Sequence, residues 1–351
     1  MLEQQRMFSL LCLPVFLVAS VMTVYGNAQT PVHILKHDDL VSFISLSSNR
    51  ELLASGCSTH TTKSGSIFIW DMKTGNLIRK LKGFPFSLAG LEFTHEGRYL
   101  ISGGLGNNIR IYKLSTGKEV GKIENLDHLT GFVLIGRSRK LGIYEGKSFR
   151  LWDISDPEKP KQANACKTGH GTTSVYSIDG KIQAVAVNSV GLVELPPTKP
   201  SKVEVWQVPS GQFLHRFNLQ KNNVLQMTLS TDKKVLGLAY VFGPNNLEVR
   251  NVQNGKIVLK ASHPYLPSVI AFSPDTKYIA VGSAISGIIY IWNVHKNTLL
   301  RKFKAHSGTV QCLEWTMDGK YLVSGSADHT VKIWKWKDLQ GNKSGRRRRK
   351  G

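Results

Sequence analysis

One short strand pattern recurs seven times along this chain at a nearly fixed spacing. The clearest copy is Val331-Lys332-Ile333-Trp334, and the others end at Trp70, Tyr112, Trp152, Trp206, Arg250 and Trp292. From Trp70 onward, successive end positions lie 42, 40, 54, 44, 42 and 42 residues apart. A fixed period of this length is the mark of one supersecondary unit copied in space. It excludes a single irregular core and makes the repeat the thing to interpret.

Each repeat reads as four short strands. The first two alternate apolar with other residues about a tight turn, as in Val310-Gln311-Cys312-Leu313-Glu314-Trp315, then Met317-Asp318-Gly319-Lys320, then Tyr321-Leu322-Val323-Ser324. That alternation is the period of a strand. The pattern strand follows. It ends in a turn bearing glycine, as at Thr74-Gly75, Thr116-Gly117, Ser210-Gly211 and Asn254-Gly255, where a hairpin needs positive φ. The fourth strand mixes apolar and basic residues, as in Leu77-Ile78-Arg79-Lys80-Leu81.

The last repeat joins Ala305-His306, Ser324-Gly325-Ser326-Ala327-Asp328 and Trp334 in a pattern that resembles the WD40 family of β-propellers. The resemblance runs from Val32 to Lys335. His37, His170 and His263 keep the family's histidine before the first strand, although no other repeat joins histidine, serine, aspartate and tryptophan. Repeat three is the most worn, and repeat five has Arg250 where the aromatic belongs. The resemblance implies an all-β fold, a seven-bladed propeller of four-stranded antiparallel blades. The seventh repeat stops after its third strand, and the chain opens on a spare strand at Val32-His33-Ile34-Leu35. That spare strand is expected to complete the last blade and close the ring.

Residues 8–24 are an apolar run, followed by Tyr25-Gly26-Asn27-Ala28 with small residues at the positions a signal peptidase reads. We expect a signal peptide over 1–28, a propeller over 29–338 and a disordered basic tail over 339–351. The protein is then secreted or periplasmic after cleavage near Ala28. The alternative is a membrane anchor at 8–24, which the shortness of the run and Pro14 disfavour. Three cysteines would remain, Cys57, Cys166 and Cys312, too few and too odd in number for a disulfide framework. Cys312 reads as core, and Cys57 and Cys166 as loop residues.

The net charge of +22 directs attention to acidic partners. Six of those charges lie in the tail, at Lys343, Arg346, Arg347, Arg348, Arg349 and Lys350. Others line the fourth strands, the outer rim of a propeller, where Arg79, Lys80, Arg301 and Lys302 are candidates for contact with a polyanion or an acidic protein. Edge protection by lysine is the plainer explanation, but it does not call for one sign of charge.

His306, Ser324 and Asp328 are the residue types of a hydrolase triad, yet the resemblance assigns them, with Trp334, to a buried hydrogen-bond chain within a blade. No Gly-x-Ser-x-Gly elbow surrounds a serine. No metal-ligand spacing occurs, and the glycine-rich stretch at Gly103-Gly104-Leu105-Gly106 joins strand to strand with no helix to hold a phosphate. We expect no catalytic residue, metal, cofactor or small-molecule substrate. Loops of the face conventionally called the top carry His60, Phe84, Phe86, Phe242 and Tyr265, aromatic candidates for anchoring a partner. The expected function is a non-catalytic protein-interaction scaffold, possible as a cofactor-free subunit of an extracytoplasmic complex. Two rivals stand: a polyanion- or nucleic-acid-associated scaffold, and a propeller enzyme using His37, Asp38, Asp39 and His263 around the central channel.

Overall fold

The computed structural model describes residues 29–340 apart from 58–64, 82–87, 105, 128, 136–138, 146–147, 167–170, 172, 178, 189–200, 209, 220–222 and 242–244. Its strands form seven four-stranded sheets. The first blade holds β2 (Val41–Leu46), β3 (Leu52–Cys57), β4 (Ile67–Asp71) and β5 (Leu77–Leu81), and β1 (His33–Lys36) precedes it. The second holds β6 (Leu88–Phe93), β7 (Tyr99–Gly104), β8 (Asn108–Lys113) and β9 (Lys118–Ile123). The third holds β10 (Leu129–Leu134), β11 (Lys140–Glu145), β12 (Ser148–Asp153) and β13 (Lys161–Cys166). The fourth holds β14 (Thr173–Tyr176), β15 (Ile182–Val187), β16 (Lys202–Gln207) and β17 (Gln212–Asn218). The fifth holds β18 (Val224–Leu229), β19 (Val235–Tyr240), β20 (Leu247–Asn251) and β21 (Ile257–Ala261). The sixth holds β22 (Pro267–Phe272), β23 (Tyr278–Ser283), β24 (Ile288–Asn293) and β25 (Thr298–Lys304). The seventh takes β26 (Val310–Trp315), β27 (Tyr321–Ser326) and β28 (Thr330–Lys335), with β1 added beyond β28.

The worn third repeat and the aromatic-free fifth therefore each make a full blade. Apolar alternation explains why: Leu141 and Ile143 in blade three, and Leu236, Leu238, Leu247 and Val249 in blade five, are all fully buried. The ring closes as expected, one residue further along than Val32. β1 runs antiparallel to β28 with His33 opposite Ile333 and Lys36 opposite Thr330. The other fourth strands carry a register shift beside the pattern position, between Ile69 and Trp70 for example, whereas β1 pairs without one.

The first strands of neighbouring blades touch and form the inner ring. Here the blades also exchange polar contacts. Glu314 accepts the Leu46 N–H at 3.4 Å, Ser45 accepts the Phe93 N–H at 3.1 Å, and Glu92 accepts the Leu134 N–H at 2.9 Å. On the outside, fourth strands reach the next blade's turn. The His33 Nε2 bonds the Lys73 carbonyl at 3.0 Å, and Arg79 reaches the Thr116 carbonyl at 3.1 Å.

A short helix, α1 (Trp336–Leu339), ends the described chain. Trp336 packs edge-on against Tyr278 and Trp315, and Leu339 is buried. The packed unit thus includes Leu339, one residue into the expected tail; residues 341–351, like the expected leader 1–28, lie outside the described residues. Cys57 and Cys166 close strands β3 and β13 rather than lying in loops, because the second and fourth strands run further than the sequence suggests. Cys57 and Cys312 are free and buried, and burial pushes the Cys57 thiol up to about 12.

Candidate functional site

His306, Ser324, Asp328 and Trp334 form one hydrogen-bonded chain. The Trp334 indole donates to Ser324 Oγ at 2.9 Å, and Ser324 Oγ lies 2.7 Å from His306 Nε2. His306 Nδ1 lies 2.9 Å from Asp328 Oδ2, and Asp328 also accepts from the Ser307 N–H and the Thr330 hydroxyl. Asp328 can only accept, so a neutral imidazole donates its Nδ1–H to the carboxylate and its Nε2 accepts the Ser324 O–H, while the serine oxygen accepts from the Trp334 indole. Burial holds the His306 pKa below its usual value despite the acid, and hydrogen bonds from His306 and Thr330 hold the Asp328 carboxyl low although burial opposes them. Ser324 is fully buried, with its oxygen enclosed by Trp334 and His306. This arrangement stiffens a blade and leaves no approach for a substrate.

Other blades vary the theme according to what stands in the second strand. In blade one, His37 Nε2 lies 2.6 Å from Ser55 Oγ, and Trp70 donates to the same oxygen at 2.8 Å. The Leu35 carbonyl takes the imidazole's other proton, so this chain works without an acid. Blade six has Val281 where the serine would be, and there the Trp292 indole and His263 Nε2 have no partner among the described residues. Blade five replaces the aromatic with a buried ion pair. Arg250 donates to Glu248 at 2.7 and 2.9 Å, and the Tyr240 hydroxyl donates to the same carboxylate at 2.8 Å. The Arg250 guanidinium also lies over the Phe217 ring.

The four residues put forward for a channel enzyme do not converge. His37 is locked to Ser55, and burial lowers its pKa to about 4. Asp38 pairs with Lys80, and Asp39 accepts its neighbour's Leu40 N–H. His263, likewise lowered to about 4 by burial, bonds the Tyr265 carbonyl in another blade. Among the described residues no cluster of three or more His, Cys, Asp or Glu is arranged to hold a metal. Among the described residues the carboxylates on the first strands are Glu92 and Glu314, which the sequence reading missed. Burial pushes them up to about 7 and about 8, and each blade's glutamate sits at the fifth residue of its first strand. That position in the alternation was the available signal.

Of the five aromatic loop candidates, His60, Phe84, Phe86 and Phe242 lie outside the described residues. Tyr265 is 40% exposed, while its carbonyl is held by His263 Nδ1 and Asn246 Nδ2. A fixed backbone thus presents a free ring. Ile285, the most exposed large apolar residue described at 69%, lies in the adjoining loop, tied to the first by the Ala284 N–H to Leu266 carbonyl bond. Sequence reading passed over it because one isoleucine in a glycine- and serine-bearing loop carries no pattern.

The basic rim is less uniform than the fourth strands suggest. Arg79 is half-buried and bonded to the Thr116 and Ser115 carbonyls, so it clasps blade two. Lys80 pairs with Asp38 at 2.6 Å, Lys122 with Glu124 at 2.9 Å and Arg216 with Glu204 at 2.8 Å. The acids come from neighbouring strands and loops, which a strand-by-strand reading does not count. Arg301 and Lys302 have no ion-pair partner among the described residues.

Three stretches, residues 29–71, 261–293 and 297–335, match the family model "WD domain, G-beta repeat". The chain is similar to Autophagy-related protein 16 of Arabidopsis thaliana, 22% identical over 77% of this chain and 51% of that protein. It is similar to the Serine-threonine kinase receptor-associated protein of Dictyostelium discoideum, 22% identical over 84% of this chain and 94% of that protein. The chain thus spans about half the length of the first of these relatives. Among solved structures, the Cps50 (Swd1) β-propeller domain of Myceliophteria thermophila superposes with a TM-score of 0.71 at 16% identity, covering 88% of this chain and 99% of that one. A chain of the Mitotic Checkpoint Complex gives 0.70 at 15% identity, covering 92% and 97%. At these identities the likeness to solved structures is one of fold.

Proposed function

We propose that this chain, which belongs with the WD40-repeat propellers by its fold and its three matched repeats, is a non-catalytic protein-interaction scaffold exported from the cytoplasm. The observation that carries the reading is the fate of the reactive residue types. His306, Ser324 and Asp328 are enclosed in one blade and His37 and Ser55 in another, so chemistry-bearing groups stiffen the ring. What faces outward is loop and rim. A similar protein is named as a receptor-associated protein and a similar structure is a multiprotein complex, which supports protein partners for this one.

The top-face loops about Tyr265 and Ile285 are the contact surface, and rigidity is the mechanism. Loops already held in place lose little entropy on binding. Export rests on the apolar run at 8–24 and the small residues before Gln29. A partner in an extracytoplasmic complex follows from export and scaffold together.

Crosslinking and mass spectrometry of the protein purified from its source test both parts. Stoichiometric partners crosslinked through the loop containing Tyr265, and an N-terminus at Gln29, are expected. A protein that emerges alone sinks the scaffold reading, and an intact leader on soluble protein sinks the export reading.

A further inference from the structure

An open pocket of about 390 Å³ lies on the rim between blades one and two, lined by Arg79, Lys80, Leu81, Arg110, Tyr112, Gly117 and Glu119. Three of these side chains are cations and one is an acid. The pocket is built across two blades. Arg79 and Lys80 come from β5, Arg110 and Tyr112 from β8, and Glu119 from β9. Arg79 is fixed in place because Gly117, at φ +71°, leaves room for it; a Cβ there would stand 2.5 Å from Arg79 Cδ.

Two donors in this pocket are left unused by the fold. The buried Arg79 Nε and the Tyr112 hydroxyl have no hydrogen-bond partner among the described residues. Tyr112 is 3% exposed, and its hydroxyl stands within reach of Arg110 and Ser102 without a well-formed hydrogen bond to either. Leaving buried donors unpaired is costly, so a group that supplied acceptors would bind with advantage. Two of the three cations are in weak pairs. Lys80 pairs with Asp38, whose side chain is 75% exposed, and Arg110 with Glu119 at 3.4 Å. Exposed pairs of this kind contribute little and exchange readily for a more highly charged anion.

We propose that this pocket binds a phosphorylated side chain of a peptide. Net charge selects the group: three cations against Glu119 match a dianion, and guanidinium groups bind phosphate oxygens in paired geometry. The adjoining edge selects the carrier. β5 is the outermost strand of its sheet, and Leu77 and Ile78 are about half exposed beside Arg79. An extended peptide can pair with that edge, lay apolar neighbours on Leu77 and Ile78 and place its phosphate in the pocket. This site is on the rim, apart from the top-face loops, and stands whether or not those loops hold a partner.

Titrating the full chain with a short peptide bearing phosphoserine between valines, and with its unphosphorylated form, tests the assignment. The phosphopeptide is expected to bind roughly tenfold or more tightly than the plain peptide, and Arg110→Gln to remove most of that difference. Tyr112→Phe keeps the ring and should weaken phosphopeptide binding a few-fold, by loss of one donor, with the melting temperature held. Lys234→Gln, a distant exposed cation, reports on diffuse charge and should leave binding unchanged. Equal affinity for the two peptides overturns the proposal, as does equal loss in Arg110→Gln and Lys234→Gln. Binding to phosphoinositide vesicles with none to the phosphopeptide overturns it in favour of a membrane headgroup.

Discussion

A serine at one position decides whether a blade's indole is satisfied. Ser55 and Ser324 each take a tryptophan N–H, whereas the indoles of Trp152, Trp206 and Trp292 have no partner among the described residues. Ser324→Ala should therefore cost about 1–3 kcal/mol, since it leaves two buried groups without partners. Chemical denaturation measures this, and Val281→Ser in blade six should act in the opposite direction or be neutral. Arg250 presents the harder case. Its replacement by alanine strands Glu248 in the core, and a loss of roughly 3–5 kcal/mol is expected in the same experiment. The histidine–serine–tryptophan set of blade seven was readable in the sequence, because all its members are present with their ordinary spacing. Blade five was not: nothing local in Leu247-Glu248-Val249-Arg250 says that arginine and glutamate turn to each other and to Tyr240 inside the sheet.

At the level of turns and strands, a second repeated device accompanies the pattern strand. The hydroxyls of Ser47, Thr94, Ser177, Ser230, Ser273 and Thr316 each accept the N–H five residues on, which clamps the first hairpin of six blades. Two residues before the second strand these turns adopt positive φ: Gly97 and Gly319 are at ease there, while Thr276, at φ +61°, is strained. Thr276→Gly is expected to be neutral or stabilising by up to about 1 kcal/mol, a reversal of the usual sign for glycine. A rise or no change in melting temperature agrees with this, and a clear fall refutes it. Strand order and hairpin turns were legible because they are local and repeat. The outer clasps, His33 on Lys73 and Arg79 on Thr116, were not, because each joins residues about a blade apart whose partners are backbone carbonyls common to every sequence.

The whole ring is subject to two opposed titrations. His37 and His263 are lowered from 6.5 to about 4, so the unfolded chain binds more protons than the folded one between those values. Their contribution is complete above pH 6.5 and is lost as pH falls through 4. Glu92 and Glu314 are raised from 4.5 to about 7 and about 8; theirs is complete below 4.5 and is lost as pH rises through 7 to 8. Each group alone gives a slope of at most about 1.4 kcal/mol per pH unit, and water reaching the partly exposed glutamates lessens it. Between 4.5 and 6.5 the slopes oppose one another, so melting temperature against pH should show a plateau there and fall on both sides. Glu314→Gln should flatten the alkaline side; an unchanged profile would mean that the carboxyl titrates as if in water. The closing strand sets a clock as well as a boundary. His33 of β1 pairs with Ile333, some 300 positions later. At roughly 5–20 residues per second, a growing chain makes β1 about 15–60 seconds before its partner exists. For that interval Ile34 and the edge of β1 are open to any other strand, and the last blade is completed only by a segment that has been waiting since the start of synthesis.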